Sequence, residues 1–85
     1  MENNLISKKA KIGKNLKIGN FVTISENVII GDNCEIESYC HLGYSNNREN
    51  GPLVIGDNAL IRSHSVIYSG SKIAESLMTG HHTTI

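Results

Sequence analysis

The chain has 85 residues, enough for one small domain, and chains of this size bury only a modest share of their surface when alone. Eight Lys and Arg balance eight Asp and Glu, no basic run stands out, and the aromatics are three Tyr and one Phe, so nucleic acid and anionic membrane are not indicated as partners. No stretch has the apolar length of a membrane span, and Met1-Glu2-Asn3-Asn4 lacks a charged segment followed by an apolar one, so a cytoplasmic chain is expected.

Residues 1–5 read as a lead-in. From Ile6 the chain counts in sixes: Ile6, Ile12, Ile18, Ile24, Ile30, Ile36 and Leu42, then Ile55, Ile61, Ile67, Ile73, Thr79 and Ile85. These thirteen positions hold eleven of the twelve isoleucines, and six of the eight glycines follow a lattice residue directly (Gly13, Gly19, Gly31, Gly43, Gly56 and Gly80). Two places before the next lattice residue comes a small or apolar one, such as Val22, Val28, Cys34, Cys40, Ala59 or Ser65. Six is a multiple of the strand period of two, so lattice and fifth-place residues point to one side and the others outward. A helical period of 3.6 would spread the isoleucines around the whole circumference.

Repetition in sixes signals a β-solenoid with three short strands per coil, about 18 residues a turn, in which residues one coil apart stack at roughly 4.8 Å. Coils are expected at 6–23, 24–41, 42–60 and 61–78. Asn15, Asn27, Asn33 and Asn58, in the fourth place, suit left-handed turn conformations. Cys34 and Cys40, both in the inward fifth place, read as buried thiols.

Between Leu42 and Ile55 lie seven residues too many, and Tyr44-Ser45-Asn46-Asn47-Arg48-Glu49-Asn50-Gly51-Pro52 is rich in turn formers. One loop insertion is expected near 44–53. Counting it out assigns the outward columns. The repeats starting at Ile18, Ile36, Ile61 and Thr79 stack Phe21, Tyr39, His64 and His82 in the fourth place and Asn20, Ser38, Ser63 and His81 in the third. His41 ends one of these repeats, so all four histidines are expected on one face. Glu37 and Arg62, in a place where glycine recurs, are expected to pair across adjacent coils. The wall with Asn15, Asn33, Asn58 and Ser76, beside Lys14, Asp32, Asp57 and Glu75, reads as solvated surface.

With its isoleucine lattice, following glycines and late Gly80-His81-His82, the chain resembles the hexapeptide-repeat acyltransferases, and from Val54 onward it is similar to sugar acetyltransferases of cell-surface polysaccharide pathways. The resemblance covers about residues 6–85. It implies an all-β fold, a left-handed parallel β-helix of about four coils in a single domain 1–85, assembled as a homotrimer. It also implies direct acetyl transfer from acetyl-CoA to a hydroxyl or amine of a sugar or nucleotide-sugar, at a cleft between protomers, with a histidine general base and no metal. By position His82 and His81 best match the family's late-coil histidine, with His82 the expected base and His64 its neighbour one coil below, a further catalytic candidate. Tyr39, His41, Tyr44 and Arg48, the last two in the insertion, are candidates for the acceptor. The chain stops at the first residue of a repeat, where relatives continue with further coils, so an N-terminal piece of a longer acyltransferase is expected. Two readings of the histidine column stand together: a general base titrating near neutral pH, or an aromatic ladder in a silent scaffold that keeps only fold and trimer assembly.

Overall fold

The structure is a computed structural model, and it describes residues 3–45 and 51–85. Eleven short strands follow one another: β1 (Leu5–Ile6), β2 (Lys11–Ile12), β3 (Lys17–Ile18), β4 (Thr23–Ile24), β5 (Val28–Ile30), β6 (Glu35–Ile36), β7 (His41–Tyr44), β8 (Leu53–Ile55), β9 (Leu60–Ile61), β10 (Val66–Tyr68) and β11 (Lys72–Ile73). They form three parallel sheets, β1-β4-β7-β10, β11-β8-β5-β2 and β3-β6-β9, the walls of a left-handed parallel β-helix. The molecule measures 28 × 28 × 24 Å. No helix among the described residues is long and apolar enough to cross a membrane.

Register follows the lattice. Ile6 lies against Ile24, Ile24 against Leu42 and Leu42 against Ile67. Ile30 lies against Ile55 and Ile36 against Ile61, so the seven extra residues all fall between Leu42 and Ile55. Because Ile67 rather than Ile61 stacks on Leu42, the third coil runs to residue 66 and the fourth starts at Ile67, not at Ile61 as the count above put it. The insertion lengthens one wall of a coil that still needs all three walls to close.

Lattice and fifth-place residues share the interior. Val22, Ile24, Cys34, Ile36, Leu42, Leu53, Ile55, Ile61 and Ile67 are all within 2% of complete burial. The lattice is not buried at its ends. Ile6 and Ile12 in the first coil and Ile85 at the last position are exposed, whereas Ile73 and Thr79 in the last coil stay buried. Cys34 and Cys40 are buried and free, their thiols 3.2 Å from the Gly56 carbonyl and 3.1 Å from the Arg62 carbonyl. Burial pushes the Cys40 thiol up from its ordinary pKa, which disfavours the reactive thiolate.

Corners need two devices. At Gly56 a Cβ would stand 2.6 Å from the Glu75 backbone nitrogen, so the glycine is required by close approach of the next coil and not by a positive φ. Left-handed residues supply the second device. Asn15, Asn33, Asn58 and Ser76 turn one corner with φ of 59–63°, and Phe21, Tyr39, His64 and His82 turn another with φ of 57–64°. Asn27 is not among them. At that corner Gly70 has the positive φ, while Asn27 uses its carbonyl to accept from the Leu53 amide at 2.9 Å where the chain returns from the insertion.

Candidate functional site

Asparagine, aspartate and histidine enter the left-handed region more easily than other side chains, and a bulky aromatic there is an outlier costing on the order of 1–3 kcal/mol. Four successive coils nevertheless place a ring at the corner between the β3-β6-β9 and β1-β4-β7-β10 walls. The rings project outward and stack. Phe21 and Tyr39 have centroids 5.3 Å apart, Tyr39 and His64 4.9 Å, and His64 and His82 4.7 Å, with interplanar angles of 14–20°. Stacking of this kind contributes about 0.5–1.5 kcal/mol per pair and offsets part of the backbone cost. The ladder is open to solvent. Phe21 and Tyr39 are each 54% exposed, and His64 and His82 are exposed.

The four histidines do not share one face. His41 lies in β7 of the β1-β4-β7-β10 wall, His64 and His82 sit on the ridge at the corner, and His81 stands one residue before that corner. The difference comes from the turn itself: the fourth-place residue is the corner, so a sixth-place residue such as His41 is already on the next wall. His41 there meets Tyr44 edge-on at 5.3 Å, and Tyr44 meets Tyr68 edge-on at 5.1 Å. A register shift between Ile67 and Tyr68 brings Tyr68 opposite Tyr44. Tyr44 and Pro52, the two stems of the insertion, accept from the amides of Ser69 and Gly70 at 2.9 and 3.2 Å. Arg48 lies outside the described residues.

Burial of the His41 ring lowers its pKa from 6.5. A depressed folded-state value means that the unfolded chain binds the proton more readily. The stability tied to neutral His41 is therefore full above about pH 6.5 and is lost as pH falls through the folded value. His41→Gln is expected to flatten the fall in thermal midpoint below pH 6.5, and a fall as steep as in the unaltered protein would show that His41 does not contribute.

His81 points into a different set of contacts from its neighbour. Its Nδ1 is 2.8 Å from Ser63 Oγ, one coil below, and 3.8 Å from Glu37 Oε1. Glu37 in turn accepts from the Ser63 amide at 3.1 Å through Oε1 and from Arg62 Nη1 at 3.1 Å through Oε2. The expected pairing of Glu37 with Arg62 is thus present. Column reading also put Ser63 beneath His81. It missed that Glu37 joins them, because that link crosses from the second place of a repeat to the third. An open groove of about 390 Å³ runs beside this cluster, between Lys17, Gly19, Glu35, Glu37, Ser38 and Ser63.

Of the catalytic candidates, His64 and His82 are brought together as a stacked pair, and His81 is held by hydrogen bonding. Among the described residues no three His, Cys, Asp or Glu side chains form a metal-ligand set. One carboxylate, Glu37, stands beside His81.

Residues 9–43 match the family described as bacterial transferase hexapeptide (six repeats). No curated protein sequence matches the chain. Among solved structures, the serine acetyltransferase of Neisseria gonorrhoeae superposes with a TM-score of 0.67 at 19% identity, over 96% of this chain and 35% of that one. The chain therefore spans about a third of the length of that enzyme. With the repeat, the three parallel walls and this superposition in hand, the chain has the left-handed β-helix fold, built on a six-residue repeat.

Proposed function

We propose that this chain is the β-helical part of an acetyl-CoA-dependent acetyltransferase that acts by direct transfer on a hydroxyl or amine of a sugar or nucleotide-sugar. The observation that carries the reading is the histidine pair His81-His82 at an exposed corner of a hexapeptide-repeat solenoid, with one imidazole held through Nδ1. A held imidazole with its other nitrogen free suits removal of a proton from the acceptor as it attacks the thioester. Position in the repeat pointed to His82. Geometry favours His81, since His82 contributes a stacked ring while His81 has a hydrogen-bonded one. The groove beside Glu37 and Ser63 offers polar groups to an acceptor, and the cluster of His41, Tyr44 and Tyr68 flanks the insertion on the adjoining wall. The cytoplasm supplies the acetyl-CoA. Release of free thiol from acetyl-CoA in the presence of a panel of hexoses and amino sugars tests the reading, and thiol release that no sugar stimulates counts against the acceptor class.

Assembly is the companion reading, and the exposed ladder favours it. Phe21 and Tyr39 at one corner and Met78, 62% exposed, at the other end of the β3-β6-β9 wall leave more apolar surface on this wall than a chain of this size keeps in water. Association about a threefold axis would cover it and place the histidines in a cleft between protomers. Light scattering at micromolar concentration is expected to return about three times 9.3 kDa, and a value near 9.3 kDa would rule the trimer out.

A further inference from the structure

We infer that Glu37 is a positioning residue that fixes the tautomer of His81 through Ser63, leaving Nε2 as the nitrogen able to accept a proton. The inference rests on the reading of His81 as the base.

Three contacts carry it. Ser63 Oγ stands 2.8 Å from His81 Nδ1, a distance that requires one of the two to donate. Glu37 Oε1 lies 3.8 Å from the same nitrogen, and the Ser63 amide donates to that same oxygen at 3.1 Å. A carboxylate beside Nδ1 stabilises a proton there and opposes a lone pair. The tautomer that fits is therefore the one in which Nδ1–H donates to Ser63 Oγ, and the unprotonated nitrogen is Nε2. Arg62 completes the device. Its Nη1 donates to Glu37 Oε2 at 3.1 Å, which holds the carboxylate in place with its other oxygen toward Ser63 and His81. The four residues come from three successive coils, Glu37 from the second, Arg62 and Ser63 from the third and His81 from the fourth, so the stacking of the solenoid sets the distances and not a local turn. As Nε2 takes a proton from an acceptor, the imidazolium that forms has its charge beside Glu37.

Nitrogen chemical shifts of the His81 ring, recorded at alkaline pH where the imidazole is neutral, read the tautomer directly. The unaltered protein is expected to show His81 protonated on Nδ1. Glu37→Gln keeps an oxygen for the Ser63 amide while removing the charge, and it is expected to shift the ring toward the Nε2–H form. In the transfer assay the same variant should lose on the order of 10² in kcat with KM for acetyl-CoA unchanged, at the lower end of what general-base catalysis contributes, and Glu37→Asp should restore part of it. Ser63→Ala, which removes the bridging oxygen, should show the same loss of tautomer preference. An Nε2–H ring in the unaltered protein, or a ring unchanged by both Glu37→Gln and Ser63→Ala, overturns the inference. If the tautomer moves as expected but no acetyl transfer is found, the positioning stands and the acetyltransferase reading fails.

Discussion

Ile61→Ala is expected to lower the unfolding free energy by about 2–5 kcal/mol, the usual result of emptying a fully buried aliphatic site. Ile61 is fully buried and stacks on Ile36 within the β3-β6-β9 wall, in a close-packed interior that cannot readily collapse around a missing group. A loss of that size is a large part of the total stability of an 85-residue domain. Ile61→Asp should leave no cooperative unfolding transition, because an isolated carboxylate would be buried among Ile36, Ile55 and Ile67 with nothing to pair it. Denaturant titration followed by circular dichroism checks both. A soluble, cooperatively folded Ile61→Asp protein would mean that the lattice does not form the core.

Replacing His81 by Ala is expected to lower turnover by about 10²–10⁴ while leaving KM for acetyl-CoA nearly unchanged, since a base acts on the acceptor's proton and not on the coenzyme. His82→Ala and His41→Ala are the comparisons. His82 stacks on His64 at the ridge and His41 faces Tyr44 on the next wall, so each removes an imidazole without touching the Ser63 contact. Loss of turnover on His82→Ala with His81→Ala fully active would return the role of base to the residue that the repeat position favours. Full activity in all three would make the ridge structural.

The fold was legible because the period of six encodes both the strand alternation and the coil. Thirteen lattice positions define which side chains meet, and the Glu37 to Arg62 contact at 3.1 Å follows from the same count once seven residues are set aside. Coil limits were less legible, because the insertion sits inside the third coil and hides where its third wall ends. Burial of the terminal lattice was not legible at all from period alone: Ile12 and Ile61 occupy equivalent places, yet Ile12 is 38% exposed and Ile61 fully buried, since burial depends on neighbouring coils.

The site was legible as columns and not as directions. Stacking of His64 and His82 follows from their separation of one coil, as does the meeting of Ser63 and His81. What separates His81 from His82 is one residue's difference in position at a corner, which turns one imidazole toward Glu37 and the other onto the ladder. The meeting of Tyr44 and Tyr68 depends on a register shift that no spacing announces.

Titration of acetyl-CoA into the purified protein, followed by calorimetry, tests the acetyltransferase reading most directly. The expected result is saturable binding that survives His81→Ala, because the imidazole serves the acceptor. No binding to the unaltered, folded protein at millimolar acetyl-CoA would contradict it and leave the exposed ladder of Phe21, Tyr39, His64 and His82 as a surface for assembly alone.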